Sequence, residues 1–346
     1  MTDGCRTMIS HASRPSKRTS QVTTDQSRPI AAHPYLTAVI AGGAALGLLA
    51  IVNNRFAANA ERRNPPLGKF VEVHGVRLHY VERGSGQALV LLHGNGSMIQ
   101  DFASSGIIDM ASKSHRVIVF DRPGFGHSER PREVVWTAAA QSELIEAALR
   151  KIGITSAAVV GHSWGCSVAV ALALRAPALV RSLVLVSGYY YPSVRTDVVT
   201  MSVPALPGLG DLIRYTLSPL VARMMWPLLK RRIFGPAPTP QKFEVGYPEE
   251  MAFRPSQIRA SAAESALMIP GAFAARRHYK QITQPVVIVA GEEDRLIDID
   301  DQSARLHSEL HNSTLHRVPG AGHMVHQTTP AVILGAIAEA DHRAAA

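Results

Sequence analysis

Apolar positions recur in two distinct periods along this chain, and their succession predicts a fold. Phe70-Val71-Glu72-Val73 and Arg77-Leu78-His79-Tyr80-Val81 alternate apolar with polar on either side of His74-Gly75, the pattern of a β-hairpin. Ala88-Leu89-Val90-Leu91-Leu92 is instead apolar throughout, as suits a strand covered on both faces. Residues 116–120, 157–160, 182–186 and 285–290 repeat that texture, and residues 313–318 close the series. Between these runs, the stretches ending near Ala111 and spanning 133–152 and 167–174 carry helical period. Strand, loop and helix in repeated succession require a largely parallel sheet. The expectation is an α/β architecture starting at Lys69, with a mostly parallel eight-stranded sheet flanked by helices.

One connection breaks the rhythm. About ninety residues separate the run at 182–186 from the run at 285–290, far more than a simple crossover needs. Tyr189-Tyr190-Tyr191, Met224-Met225-Trp226 and Leu228-Leu229 make this segment apolar, and Lys230-Arg231-Arg232 gives it a basic end. Residues 189–282 are therefore expected to form a helical cap inserted between the sixth and seventh strands, dividing the core into residues 69–188 and 283–346. Within the cap, a lid whose apolar side turns inward is the expected role, the alternative being that residues 217–234 also touch a bilayer.

Upstream of Lys69 the texture changes again. Residues 1–35 are rich in Ser, Thr, Arg and Lys and are expected to be a disordered basic tail. Residues 36–52 run without a charge and are expected to span a membrane, and residues 53–68, with Pro65-Pro66, to be a linker. A retained single-pass anchor is the expected fate. A signal sequence cleaved near Ala58-Asn59-Ala60 and a buried helix are the alternatives. Lys17, Arg18 and Arg28 precede the span while Arg55, Arg62, Arg63 and Lys69 follow it, so the charge balance barely selects an orientation; the catalytic part is placed extracytoplasmically.

Composition changes this picture little. A hydrophobic share of 46% and a charged share of 18% are ordinary globular values. The net charge of +9 is concentrated near the N-terminus, where residues 1 to 64 hold eight Lys/Arg against three acids. No basic stripe interleaved with aromatics suggests a nucleic-acid partner. The two cysteines, Cys5 and Cys166, flank the apolar stretch and suggest no disulfide, and Cys166 is expected to be a small buried hydrophobe. No metal-ligand spacing or nucleotide loop is apparent, so neither a metal nor a cofactor is expected.

The candidate chemistry centres on Gly161-His162-Ser163-Trp164-Gly165, a Gly-x-Ser-x-Gly placed where a strand run gives way to a helical pattern. A serine in so tight a turn adopts a strained backbone, and glycine on either side leaves the room that strain requires. The alternative is a glycine-lined turn before a buried helix, with no chemical partners at other strand ends. In an open parallel sheet, functional groups gather at the carboxyl ends of strands. Gly291-Glu292-Glu293-Asp294 follows one such end and makes Asp294 the candidate acid, while Asp298, Asp300 and Asp301 resemble ordinary helix-start acids. Pro319-Gly320-Ala321-Gly322-His323 follows the last strand and makes His323 the candidate base, with His326 its competitor.

The order Ser163, Asp294, His323 resembles that of the α/β-hydrolase superfamily. The resemblance spans about Lys69 to Glu339 and rests on His93-Gly94, Asp121-Arg122-Pro123-Gly124-Phe125-Gly126, the elbow pentapeptide and the two loops carrying Asp294 and His323. It implies that the backbone amides of Asn95 and Trp164 form an oxyanion hole, that His93 shapes the first loop and that Arg122 shapes the second. Asn95 also resembles its counterpart in haloalkane dehalogenases, but those enzymes carry an aspartate at the elbow where this chain has Ser163.

The expected function is hydrolysis of carboxylic esters, lipid-like ones included, on a small-molecule acyl substrate through an acyl-enzyme. The alternatives with the same triad are a cofactor-free haloperoxidase or perhydrolase and a carbon–carbon bond hydrolase. A non-catalytic binding protein is the reading from another class.

Overall fold

The computed structural model describes Met1 and residues 34–346. The tail expected over residues 1–35 lies outside the described residues except for Met1, Pro34 and Tyr35, and the last two open helix α1, Pro34–Arg63. The chain divides into two units, Met1–Ala45 and Leu46–Ala346. The most apolar 18-residue window of α1 has a mean hydropathy of 2.1 and is 0% buried, so this helix is long and apolar enough to cross a membrane.

The linker expected over 53–68 is helical as far as Arg63. No proline interrupts it before Pro65, and one face of this last part packs within the second unit, which does more for a helix than propensity can. Asn53 donates through its side chain to the carbonyls of Tyr215 (3.0 Å) and Thr216 (2.7 Å). Ala60 is buried beside Met98, Phe243, Tyr247 and Met251.

The sheet comprises β1 (Lys69–Val73), β2 (Val76–Arg83), β3 (Gln87–Leu92), β4 (His115–Phe120), β5 (Ala157–His162), β6 (Val180–Val186), β7 (Val286–Gly291) and β8 (Ser313–Val318). Their spatial order is β1-β2-β4-β3-β5-β6-β7-β8. The β1–β2 and β2–β4 pairs are antiparallel and the rest are parallel. This is the eight-stranded sheet expected from the runs of apolar residues.

The central strands are buried on both faces, and period two divides their side chains between two cores. On one face, Val90, Val159, Leu183 and Ile288 pack with Leu144 and Leu149 of α4 (Ala138–Lys151) and with α5 (Trp164–Arg175). On the other, Leu89, Val160, Val184 and Val287 pack with α2 (Ile99–Ser105), α3 (Ile107–Ala111) and the final helix. Helix α4 starts at Ala138 rather than near Glu133, because Thr137 caps it by accepting from the Ala140 amide at 3.1 Å.

Between β6 and β7 the chain is helical: α6 (Thr196–Ser202), α7 (Leu209–Tyr215), α8 (Ser218–Phe234), α9 (Gln241–Gly246), α10 (Glu249–Ala252) and α11 (Pro255–Ala275). After β7 come α12 (Arg305–Glu309), α13 (Val325–Thr328) and α14 (Pro330–Ala345). On α8, Leu220, Val221, Met224, Met225 and Leu228 are exposed. Trp226 turns inward, as the lid reading expects, and stacks on Tyr247 at 5.9 Å between ring centroids.

Candidate active site

Ser163 occupies the turn between β5 and α5 with φ 52° and ψ −119°, a conformation that side chains with a Cβ rarely adopt. Its amide donates to Val186 (2.9 Å) and its carbonyl accepts from Cys166 (3.0 Å), which fixes the strained turn from both sides. The flanking glycines are required by close approach. A Cβ on Gly165 would lie 2.1 Å from the Leu92 carbonyl oxygen, and one on Gly161 would lie 2.6 Å from the Gly165 carbonyl oxygen. Ser163 itself remains partly exposed. Cys166 is fully buried beneath the turn, where burial pushes its thiol up to about 12, as befits the inert hydrophobe expected from the sequence.

Asp294 and His323 lie at the ends of β7 and β8 and meet: His323 Nδ1 stands 2.7 Å from Asp294 Oδ2, and both side chains are nearly solvent-free. The other carboxylate oxygen accepts the amides of Leu296 (2.8 Å) and Ile297 (3.0 Å), so the acid cannot rotate freely. A carboxylate can only accept, so Nδ1 carries the proton and Nε2 is the free base nitrogen. The loops bearing the two residues are locked together, since Glu293 donates to Ala321 and a Cβ on Gly291 would lie 2.3 Å from the carbonyls of Ala321 and Gly322.

No hydrogen bond joins Ser163 to His323 among the described residues. Their loops meet through His162, whose ring packs on that of His323 at 5.1 Å between centroids and whose Nε2 donates to the His323 carbonyl at 3.2 Å.

The loop after β3 carries Asn95. A Cβ on Gly94 would lie 3.1 Å from the Ser163 Cβ, which places this loop directly against the elbow. The amides of Asn95 and Trp164 donate to no protein acceptor among the described residues. For Trp164 this follows from its place at the start of α5, where N–H groups have no partner within the helix. The Asn95 side chain reaches into α11, donating to the Ser261 carbonyl and Ser265 Oγ, each at 3.2 Å.

Arg122 departs from its expected role. Although it belongs to the loop after β4, its guanidinium reaches back to the first loop, donating through Nε to the His93 carbonyl (2.7 Å) and through Nη2 to the Gly94 carbonyl (2.9 Å). Its remaining donors engage Gln141 and both oxygens of Glu264 on α11, and the Arg122 and Glu264 side chains are fully buried. His93 completes the brace. Its Nε2 accepts the Arg122 amide at 3.0 Å, so Nδ1 holds the proton and donates to Gly94 at 2.8 Å. Burial, aided by the neighbouring guanidinium, pushes His93 down to about 3 and keeps it neutral.

Sequence reasoning missed a buried cluster beneath the elbow. His326, the competitor for the base, is fully buried, and its Nε2 lies 2.9 Å from Asp101 Oδ1, an acid the sequence did not single out. The same oxygen accepts from Gln327 at 2.8 Å, and Ser97 donates to Oδ2 at 3.0 Å. Burial would raise the Asp101 carboxyl, but His326 and its other partners outweigh that and hold it low. His162 rests on this cluster, 4.1 Å from His326 between ring centroids, and burial with its two histidine neighbours holds it well below its ordinary value. Asp101, His162 and His326 offer ligand atoms within 4.8 Å of one another; the carboxylate oxygens are taken up by protein donors, while Nδ1 of His162 and Nδ1 of His326 are buried without a hydrogen-bond partner.

Residues 87–330 match the alpha/beta hydrolase fold family. The chain is 28% identical over 274 residues to 2-hydroxymuconate semialdehyde hydrolase of Pseudomonas putida, covering 77% of this chain and 90% of that protein. It is 28% identical over 283 residues to 2-(acetamidomethylene)succinate hydrolase of Mesorhizobium japonicum, covering 78% and 94%. Among solved structures it is similar to a membrane phospholipase A described as a bacterial virulence factor, with a TM-score of 0.61 at 21% identity, covering 89% of this chain and 98% of that one.

Proposed function

This chain belongs to the alpha/beta hydrolase family, and we propose from that premise that it is a membrane-anchored serine hydrolase of carboxylic esters with apolar, lipid-like acyl chains. The observation that carries the proposal is the strained, partly exposed Ser163 on a turn whose His162 packs on His323, a histidine held by Asp294 through Nδ1 so that Nε2 is left as the base nitrogen. In the first half-reaction Ser163 Oγ attacks the acyl carbonyl while its proton passes to His323 Nε2. The amides of Asn95 and Trp164 receive the developing oxyanion, and the imidazolium returns the proton to the departing alcohol. Water then repeats the sequence on the acyl-enzyme and releases the acid. Asp294 holds the imidazole in the working tautomer and stabilises its charged form.

Lipid-like substrates are supported by two surfaces. Helix α1 is long and apolar enough to anchor the chain, and α8 exposes Leu220, Val221, Met224 and Leu228 from an insertion that serves as the cap. The cap is tied to the site through Asn95, Ser261 and Ser265, and through the Ile233 carbonyl, which accepts from Met324 one residue beyond the base.

The test is an ester chain-length series on the purified protein beside Ser163→Ala. Turnover should rise with acyl length and fall by at least about 10³-fold in the variant. Undiminished turnover in Ser163→Ala would end the serine-hydrolase account.

A second reading, carbon–carbon bond hydrolysis with the same triad, is supported by the likeness to 2-hydroxymuconate semialdehyde hydrolase. Ring-cleavage products turned over faster than any ester in the series would select it. Acid-dependent peroxide chemistry would select the perhydrolase reading instead.

A further inference from the structure

We propose that the basic cavity between the loop after β4 and helices α7 and α11 is a binding site for a phosphate-class anion, either a soluble phosphomonoester or the headgroup of an anionic phospholipid. The cavity, of about 380 Å³, is lined by Arg77, Arg130, Arg132, Arg214, Arg254 and Arg259 against two acids, Glu61 and Glu129. None of Ser163, Asp294, His323, Asn95 or Trp164 lines it, so it is separate from the ester-cleaving site.

The two lining acids are already engaged. Glu129 lies 3.5 Å from Arg77, and Glu61 lies 2.6 Å from Arg254. Four guanidiniums remain. Arg132 (3.4 Å) and Arg214 share one oxygen of Asp211. Arg130 donates to the Pro123 carbonyl at 2.9 Å, and its one carboxylate neighbour among the described residues, Glu264, is 3.9 Å away and already clasped by Arg122. Arg259 has no ion pair or hydrogen bond among the described residues.

Arg214 supplies a second, independent pointer. It lines the cavity, is 2% exposed, and its Nε is buried without a hydrogen-bond partner. A buried donor of this kind is normally satisfied, and in a cationic recess the missing partner is an acceptor. The electrostatics agree. Burial lowers Arg259, and the facing Arg132 and Arg214 lower it further. Burial also pushes Arg130 down to about 10, against the pull of Glu264. These cations crowd one another without a full complement of counter-charge, and a bound anion relieves that repulsion.

Guanidinium forks match phosphate oxygens two by two, and the cavity has room for an organic group beside the phosphate. Glu61 lies in the last turn of α1, so the site opens where the chain leaves its apolar helix. Helix α11 bears Arg259 on the cavity wall and, two residues on, Ser261, which holds Asn95.

The test uses the full chain in uncharged detergent at constant ionic strength set by chloride, with the thermal midpoint as readout. One arm titrates glycerol 1-phosphate and inorganic phosphate, and another adds phosphatidic acid to the micelles against phosphatidylcholine. Arg259→Gln and Arg132→Gln, at partly exposed positions, are compared with the surface control Arg83→Gln. A saturable upward shift is expected, with apparent affinity weakened at least tenfold in either cavity variant and unchanged in the control. A response to the soluble esters assigns a free metabolite, and a response confined to phosphatidic acid assigns a headgroup; each supports the site. No response in either arm, or a response equally weakened by Arg83→Gln or untouched by both cavity variants, overturns it. Ester turnover enters none of these readouts, so failure here leaves the serine-hydrolase proposal standing, and failure of that proposal leaves the anion site standing.

Discussion

Single residues set both the reactive geometry and its sensitivity to acid. His93 is fully buried and held neutral, down to about 3 from an ordinary 6.5, whereas in the unfolded chain it accepts a proton near 6.5. The unfolded state therefore binds more protons between those values, so the stability is complete above pH 6.5 and drains away as pH falls through that window. At about pH 5 this one residue should cost on the order of 2 kcal/mol. His162 acts in the same direction, while Asp101 and Asp121, lowered from 3.8, add to the loss only in stronger acid. Thermal melts from about pH 7 to about pH 5 should show a declining midpoint, and a shallower decline in His93→Gln. An unchanged slope in that variant would remove His93 from the account.

At the scale of elements, what could be read from the sequence was whatever one stretch of chain decides for itself. The elbow was legible because Gly-x-Ser-x-Gly is a local pattern, although only Gly161 is demanded by atoms a few residues away, Gly165 being demanded by the distant Leu92 carbonyl. The strands were legible because the central runs are apolar on both faces and the hairpin strands alternate. Pairings between distant stretches were not legible. Glu264 meets Arg122 across 142 positions, and His326 meets Asp101 across 225, with no local pattern to announce either. Helix α1 outran its expected end for the same reason, since Asn53 and Ala60 are held by partners far along the chain. Glu264→Gln tests the first pairing. It keeps the volume but leaves Arg122 buried without its counter-charge, and should destabilise the fold by about 3–5 kcal/mol, measured by denaturant unfolding. A loss below about 1 kcal/mol would mean the pair is readily replaced.

For the whole molecule, the main question is whether α1 stays. Removal at Ala58-Asn59-Ala60 would withdraw Asn53 and Ala60 from contacts they make within the second unit, which argues that the helix is retained as an anchor. Protein extracted from membranes should give an intact mass that includes residues 34–60 and should resist carbonate washing. An N-terminus at Glu61 on the recovered protein would establish signal cleavage instead.

Arg122 is grasped on one side by the carbonyls of the Asn95 loop and on the other by a carboxylate from the inserted helices. The two pieces consequently share a single fastening. Any displacement of α11 that carried Glu264 away would leave the guanidinium with only Gln141 and the His93 and Gly94 carbonyls, so the footing of the Asn95 loop depends on where that inserted helix rests.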